Sequence, residues 1–180
     1  MTDWHERYAR NARPFGEGPT SFVADLFTAP RAVGLPLPPA DVLCPGDGYG
    51  RNGLWLAGQG YRVRGTDLVP SAVADARAAA AAEDLPYRST VGDLSRWPLP
   101  VELDARYDVI VLAWICLATL EQRVRLNTAC WKALRAGGHI VVILGEPVTT
   151  LEDEMAEWFP EAVWRDCSAE GQLRLIGQKP

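Results

Sequence analysis

Three glycines alternate at positions 46, 48 and 50 in the segment CPGDGYGRNG, residues 44–53. A short strand-like lead, 41–43, runs into them. A helical segment and a second strand-like segment, 61–66, follow and end on Asp67. Because glycine has no Cβ, the backbone of such a turn can approach a ligand closely. A carboxylate about 20 residues further on can accept hydrogen bonds from both hydroxyls of a ribose. This order of elements predicts half of a nucleotide-binding fold.

Strand-like and helix-like segments alternate from residue 41 onward. We expect strands at 41–44, 61–66, 87–91, 107–113 and 139–144. We expect helices at about 51–59, 70–83, 120–135 and 151–158. Two final strands, near 162–167 and 172–177, are joined by a turn-like segment and predict an antiparallel hairpin. Repeated βα units imply parallel strands with right-handed crossovers. The predicted fold class is therefore α/β, a doubly wound, mostly parallel seven-stranded sheet with an antiparallel last strand.

A chain of 180 residues suits a single domain with one sizeable core. Its first forty residues are expected to form a helical leader outside that core. Trp4 and Tyr8 share one helical face of the leader, and a loop around Phe15 follows them. A short helix at about 21–27 and a proline-stiffened linker at 34–39 complete the leader. Residues 41–180 then form the α/β core.

Composition excludes several classes of partner. The net charge of −5 offers no basic stripe, which disfavours nucleic acid. No apolar run approaches the length of about 18 residues that a membrane span needs. The amino terminus lacks the apolar segment of a signal peptide. The four cysteines form no CxxC motif, and with only two histidines a structural zinc site is not expected. We therefore expect a cytoplasmic protein with reduced thiols. Its oligomeric state is not readable from the sequence.

The residues of interest fall at the carboxyl ends of the predicted strands, where parallel sheets bind ligands. Residues 48–53 formally satisfy GxGxxG, so a nicotinamide cofactor has to be considered. Three features favour S-adenosylmethionine instead. The glycines read GxGxG from Gly46, Asp93 ends the third strand, and Gly137 and Gly138 lead into the fifth strand before a terminal hairpin.

The string GDGYGRNGLWLAGQGYRVRGTDLVPSAV, residues 46–73, resembles class I S-adenosylmethionine-dependent methyltransferases. Within that class it is similar to the compact group that includes thiopurine and tellurite-resistance methyltransferases, which carry GxGRN-xxxLAxxGxxVxGxDxSxxA. The segment WHERY, residues 4–8, is similar to the WxxRY opening of the same group. The likeness runs from about residue 4 to residue 144, and it implies a Rossmann-like methyltransferase fold.

Twelve residues are candidates for cofactor binding, all but Trp114 implied by the resemblance: Trp4, Tyr8, Phe15, Gly46, Asp47, Gly48, Arg51, Asp67, Leu68, Asp93, Leu94 and Trp114. The first three would cover the methionine end of the cofactor, and the glycine turn would pass beneath it. Arg51 or Asn52 would stabilise the turn or the carboxylate of the ligand. Asp67 would bind the ribose diol with Leu68 against the adenine. Asp93 would accept from the adenine amine, and the next residue would offer its backbone amide. Trp114, at the end of the fourth strand, would line the pocket.

The chain also departs from the pattern of this group. Cys44 and Pro45 stand where most members end the first strand with an acid, and residues 114–119 hold no histidine that could act as a base. The segment after the fifth strand, 145–150, is short, which predicts an open acceptor pocket. Cys44 and Cys116 are expected to be small buried hydrophobic residues.

We therefore expect methyl transfer to a small molecule, with a soft, sulfur-like atom as one acceptor, and catalysis mainly by proximity and orientation. We assign no residue a catalytic role. Two alternatives remain open. One is a protein that binds S-adenosylmethionine without catalysis. The other is an NAD(P)-dependent oxidoreductase, which is less favoured because no Tyr-x-x-x-Lys pair exists.

Overall fold

The computed structural model describes residues 3–96, 106–145, 159, 161–169 and 171–180. The predicted loop at 97–100, the short segment after residue 145 and the acidic helix at 151–158 lie outside the described residues. The described helices are α1 Trp4–Arg10, α2 Ser21–Thr28, α3 Pro30–Val33, α4 Gly53–Gly58, α5 Pro70–Ala82 and α6 Leu120–Ala133. The described strands are β1 Asp41–Pro45, β2 Arg62–Asp67, β3 Tyr87–Val91, β4 Tyr107–Ala113, β5 Leu134–Gly145, β6 Val163–Asp166 and β7 Gln172–Gln178. A 3-10 turn covers Leu94–Arg96.

One seven-stranded sheet runs through the molecule in the order β3-β2-β1-β4-β5-β7-β6. The first five strands pair in parallel, whereas β7 pairs antiparallel with β5 and β6 pairs antiparallel with β7. The strand order reverses between β1 and β4, so a crevice opens at their carboxyl ends. The predicted α/β fold class and the terminal hairpin are confirmed.

Strand β5 begins five residues earlier than the sequence pattern indicates. Leu134 already pairs with Tyr107, and the register then shifts so that His139 pairs with Val109. Gly137 lies at φ +74°, a conformation that glycine adopts readily and other residues rarely do. Strand-like pairing therefore starts directly after α6, and the two glycines form an irregularity inside the strand instead of a loop before it.

Helix α2 belongs to the hydrophobic core, so the expectation that the first forty residues lie outside it is wrong for this helix. Phe22, Val23, Leu26 and Phe27 are buried together with residues of β1, β4 and β5. The ring of Phe27 meets that of Tyr61 edge-on at 5.2 Å between centroids. The cause is the apolar spacing i, i+1, i+4, i+5, which gives this short helix one fully apolar face.

None of the described helices is long and apolar enough to cross a bilayer.

Candidate functional site

A cleft opens at the carboxyl ends of β1, β2 and β4, beneath the leader. Eleven of the twelve candidate cofactor-binding residues line it: Trp4, Tyr8, Phe15, Gly46, Asp47, Arg51, Asp67, Leu68, Asp93, Leu94 and Trp114. The twelfth, Gly48, is covered by the hydroxyl of Tyr8, which lies where a Cβ on this glycine would be. The structure thus brings the residues together, while their contact with a cofactor stays a prediction.

The turn after β1 contains three glycines at positions where a Cβ has no room. Gly46, Gly48 and Gly50 have φ values of +66°, +58° and +84°. A Cβ on Gly46 would stand 2.6 Å from Cδ1 of Ile115, so the Ile115 side chain packs directly on the backbone of this glycine. These φ values are strained for residues with a Cβ, so the turn needs glycine for its conformation as well as for its close contacts.

Asp67 ends β2 and holds the glycine turn. One carboxylate oxygen accepts from the backbone N–H of Gly48 and the other from that of Val69, both at 2.9 Å. Each oxygen has two lone pairs, so each retains an acceptor position. Partial burial raises the pKa of Asp67 above its usual range. These acceptor positions lie at the tip of β2, beside the glycine turn, and their contact with the diol of an adenosyl group stays a prediction.

Asp47 turns its carboxylate away from the cleft mouth and into the protein. Its oxygens accept from the Gly53 N–H at 3.2 Å and from the Tyr87 hydroxyl at 2.9 Å. Its backbone N–H donates to the Thr66 carbonyl at 2.9 Å, which ties the turn to β2. Burial is the largest cause of a pKa raised to about 7 for this carboxyl, even though hydrogen bonds from Tyr87 and from the backbone of Gly53 and Asn52 lower it.

The side chain of Asp93 stabilises the turn that follows β3. One oxygen accepts from both the N–H and the hydroxyl of Ser95, at 2.9 and 2.6 Å, and so caps the 3-10 turn that follows. The other lies 3.5 Å from Nε of the exposed Arg96. Leu94 is buried beside the glycine turn, and Leu68 is 38% exposed at the cleft. A contact of Asp93 with an adenine amine stays a prediction, since the carboxylate already has these partners.

Arg51 and Asn52 fasten the leader to the glycine turn. The guanidinium of Arg51 donates to the carbonyls of Gly18 and Pro19, the second bond at 3.4 Å. The buried side chain of Asn52 accepts from the Thr20 N–H at 2.9 Å. Both polar side chains are therefore engaged with leader backbone. Arg51 still lines the cleft, so its contact with a ligand carboxylate also stays a prediction.

Aromatic rings of the leader cover one side of the cleft. Trp4 lies 6.4 Å from Tyr8 and 6.2 Å from Phe15 between ring centroids, and Tyr8 meets Tyr49 edge-on at 6.1 Å. The guanidinium of Arg7 lies 4.6 Å from the centroid of Phe15. Burial and the nearby Asp67 carboxylate raise the pKa of Tyr8. These rings form an apolar wall in which the Tyr8 phenol stays neutral.

Trp114 forms the opposite wall. It follows β4 in a left-handed conformation, φ +61°, which costs a residue other than glycine roughly 1–3 kcal/mol. Its N–H donates to the Ile143 carbonyl at 2.8 Å, and its side chain remains 37% exposed. The strained backbone turns the next three residues, Ile115 to Leu117, along the cleft.

The two cysteines of the cleft differ from each other. Cys44 is buried as expected, and burial raises the pKa of its thiol. Cys116 is exposed, so the expectation of a buried hydrophobic residue is wrong there. It follows Trp114 in the strained segment and therefore does not continue the apolar pattern of β4. Within the described residues, no cluster of three His, Cys, Asp or Glu side chains could hold a metal ion.

Sequence reasoning missed other residues of the cleft wall: Thr20, Tyr49, Ser95 and Leu117. Tyr49 lies inside the glycine motif and Ser95 directly follows Leu94, so their positions in the sequence could have predicted that they line the cleft. Thr20 reaches the cleft only because Asn52 holds its backbone. Leu117 follows β4, where no pattern of residues indicates which side chain faces the cleft, although the segment 113–116 before it was expected there.

Comparisons with known proteins agree with this architecture. The family described as "Methyltransferase domain" matches residues 42–138, more than half of the chain. No curated protein sequence matches the chain. Among solved structures, the TehB-like SAM-dependent methyltransferase of Corynebacterium glutamicum is 25% identical, with a TM-score of 0.73 over 99% of this chain and 97% of that one.

Two other solved structures share the fold. A protein studied for the conversion of a disulfide bond into a thioacetal group during echinomycin biosynthesis is 21% identical, with a TM-score of 0.69 over 99% of this chain and 93% of that one. The T. thermophilus 16S rRNA N2 G1207 methyltransferase, in complex with AdoMet and guanosine, is 20% identical, with a TM-score of 0.73 over 92% of this chain but only 44% of that one.

Proposed function

The chain belongs to the methyltransferase domain family, whose methyl donor is S-adenosylmethionine, and we propose that it methylates a small molecule at a soft nucleophilic atom such as sulfur. The proposal assigns the glycine turn and Asp67 to the adenosyl group of the donor. It assigns the space between the leader rings and Trp114 to the acceptor. It also takes the chain as one domain whose first residues cover the cleft.

The observation that carries the proposal for the acceptor is the lining of the cleft mouth. Trp4, Phe15 and Trp114 face it from two sides, and Phe15 and Trp114 are each 37% exposed. Such rings suit a compact, partly apolar acceptor. The net charge of −5 argues against a nucleic acid acceptor.

Methyl transfer from a sulfonium requires few catalytic groups from the protein. The bound donor supplies a sulfonium methyl group that is already activated for in-line displacement. No histidine lies among the described residues of the cleft wall, so the site favours an acceptor that needs no base, as a thiolate does. Holding two reactants at near-attack distance is worth up to roughly 7–11 kcal/mol. Aromatic faces on both sides of the mouth can provide that orientation and exclude water.

Two of the solved structures bear on the acceptor. The echinomycin protein acts in chemistry at sulfur, which is compatible with a soft acceptor. The rRNA enzyme uses the same fold on RNA, but this chain spans less than half of its length. We therefore retain the small-molecule proposal and make RNA an outcome of the test. The proposal includes a cytoplasmic, reducing location, which the four free cysteines support.

Calorimetric titration with S-adenosylhomocysteine and with NADH tests the cofactor. We expect binding of the first ligand alone, and binding of NADH alone would contradict the proposal. Transfer from methyl-labelled donor to a panel of thiols, amines, oxyanions and RNA tests the acceptor. We expect labelled thiol products. Labelling of RNA alone would contradict the small-molecule acceptor and identify RNA as the substrate. Binding of S-adenosylhomocysteine without any methyl transfer would favour a non-catalytic binding protein.

A further inference from the structure

Two arginines face each other on the neighbouring strands β2 and β3. Arg64 and Arg88 are partners in the parallel register, so their side chains project from the same face of the sheet, on strands about 4.8 Å apart. Arg64 is half-buried and Arg88 is exposed. Like charges this close repel each other. An anion bound between the two guanidinium groups would offset that repulsion.

Neither Arg64 nor Arg88 has a carboxylate partner among the residues that the structure describes. Arg64 donates to the hydroxyl of Tyr107, which is neutral in its usual state. The other arginine of β2 is different, since Arg62 donates to both carboxylate oxygens of Asp41, at 2.8 and 3.0 Å. The positive charge of Arg62 is thus balanced within the protein, whereas the charges of the facing pair are not.

A groove runs past the facing pair and around the outer side of β3, which is an edge strand of the sheet. Arg77 of α5 lines the same groove, and its Nε donates to the carbonyl of Ser89 at 2.8 Å. This bond holds a third guanidinium at the groove and uses only one of its five N–H donors. The groove therefore joins cationic side chains of β2, β3 and α5.

Carboxylates limit this positive region on two sides. Asp84, which follows α5, lines the groove at the edge of β3, and Asp41 lies with its arginine partner at the start of β1. The unbalanced charge therefore extends across about two strands and does not form a continuous stripe. A nucleic acid backbone carries one phosphate after another and needs such a stripe. A ligand with one or two phosphate groups fits the shorter region, which the net charge of −5 conceals.

We propose that this groove binds the phosphate group of a small phosphorylated molecule between Arg64 and Arg88. The planar guanidinium group matches phosphate oxygens in a bidentate geometry, which makes phosphate the anion that such a pair recognises best. The site is separate from the methyl-donor cleft, because the cleft opens at the carboxyl ends of the strands and the arginine pair lies toward their amino ends. The inference therefore goes beyond the proposed function and does not depend on it.

Titration calorimetry in metal-free HEPES at low salt tests the site with three probes: inorganic phosphate, pyrophosphate and a short single-stranded RNA. The variants are Arg64→Gln and Arg88→Gln. The matched control is Arg125→Gln, which gives the same change in net charge on α6, where Arg125 pairs with Glu121. Circular dichroism checks that each variant is folded. Because Arg88 is exposed, its variant decides the outcome if Arg64→Gln does not fold.

We expect the parent to bind pyrophosphate, and inorganic phosphate more weakly. Each groove variant should raise the dissociation constant of pyrophosphate by about tenfold to a hundredfold, the effect of losing hydrogen bonds between charged groups. The control should bind as the parent does. Absence of pyrophosphate binding in the parent, parent-like binding in the groove variants, or equal weakening in the control would overturn the inference. Binding of RNA without pyrophosphate would overturn the small ligand, and displacement of pyrophosphate by S-adenosylhomocysteine would overturn the location by placing the anion in the cleft.

Discussion

Replacing Asp47 by asparagine is expected to remove a decline of stability that the parent protein shows as the pH rises. Burial raises the pKa of this carboxyl from its ordinary value of 3.8 to about 7 in the folded protein. Between these two values the folded state holds a proton that the unfolded chain has released. The free energy of unfolding therefore falls as pH rises through this window and levels off above the folded pKa.

The size of the effect follows from the same shift. One proton contributes a slope of up to about 1.4 kcal/mol per pH unit, so the parent should lose roughly 2–3 kcal/mol between pH 5 and pH 8 through Asp47 alone. The side-chain amide that replaces the carboxyl in Asp47→Asn does not titrate in this range. Asp67, whose pKa is also raised, titrates in both proteins and largely cancels in the comparison.

Urea unfolding at pH 5, 6, 7 and 8, followed by circular dichroism without ligand, measures the difference. The free energy of unfolding of Asp47→Asn minus that of the parent should increase with pH up to about 7 and then remain constant. Asp108→Asn should give no such trend, because its carboxylate lies with Arg135 at the far end of the sheet. Parallel pH profiles for parent and Asp47→Asn would refute the reasoning.

Three further substitutions test the rest of the site. Asp67→Ala should weaken S-adenosylhomocysteine binding by about a hundredfold in calorimetry, because two charge-assisted hydrogen bonds to a diol are lost; undiminished affinity would remove Asp67 from the site. Gly48→Ala should lower the free energy of unfolding by about 1–3 kcal/mol in urea, since the new methyl meets the Tyr8 hydroxyl at φ +58°; an unchanged midpoint would contradict this packing. Asn52→Ala should leave the Thr20 N–H without its acceptor and speed proteolysis within the leader; a parent-like cleavage rate would show that this bond does not hold the leader.

The sheet was predictable because its strands carry strong local signals. β3 and β4 match the expected bounds, since most of β4 is an apolar run, and β3 lies between the turn residues Pro86 and Gly92 and ends in the β-branched Thr90 and Val91. Asp67 and the glycine turn were equally predictable, because their spacing follows from the geometry of one βα unit. The early start of β5 was not predictable from the sequence. Gly137 and Gly138 are typical of a loop, and only the pairing of this segment with β4 makes them part of a strand.

Directions of side chains were the least predictable part of the site. Asp47 stands in the glycine motif, yet its carboxylate points toward Tyr87, forty residues away in the sequence. Arg51 bonds to the leader through carbonyls that carry no side-chain signature. The burial of α2 in the core was missed because its apolar face reads equally well as a cover for a cleft or as a layer on the sheet. In each case the deciding partner comes from a distant segment.

The leader is tied to the glycine turn at several consecutive backbone positions. The Gly16 carbonyl accepts from the Tyr49 hydroxyl at 2.7 Å, those of Gly18 and Pro19 accept from Arg51, and the Thr20 N–H donates to Asn52. Each of these bonds uses main-chain atoms of the leader and a side chain of the turn. The identity of the leader side chains is therefore expected to matter less for this attachment than the identity of Tyr49, Arg51 and Asn52, so the covering segment can vary in sequence while its docking position is kept.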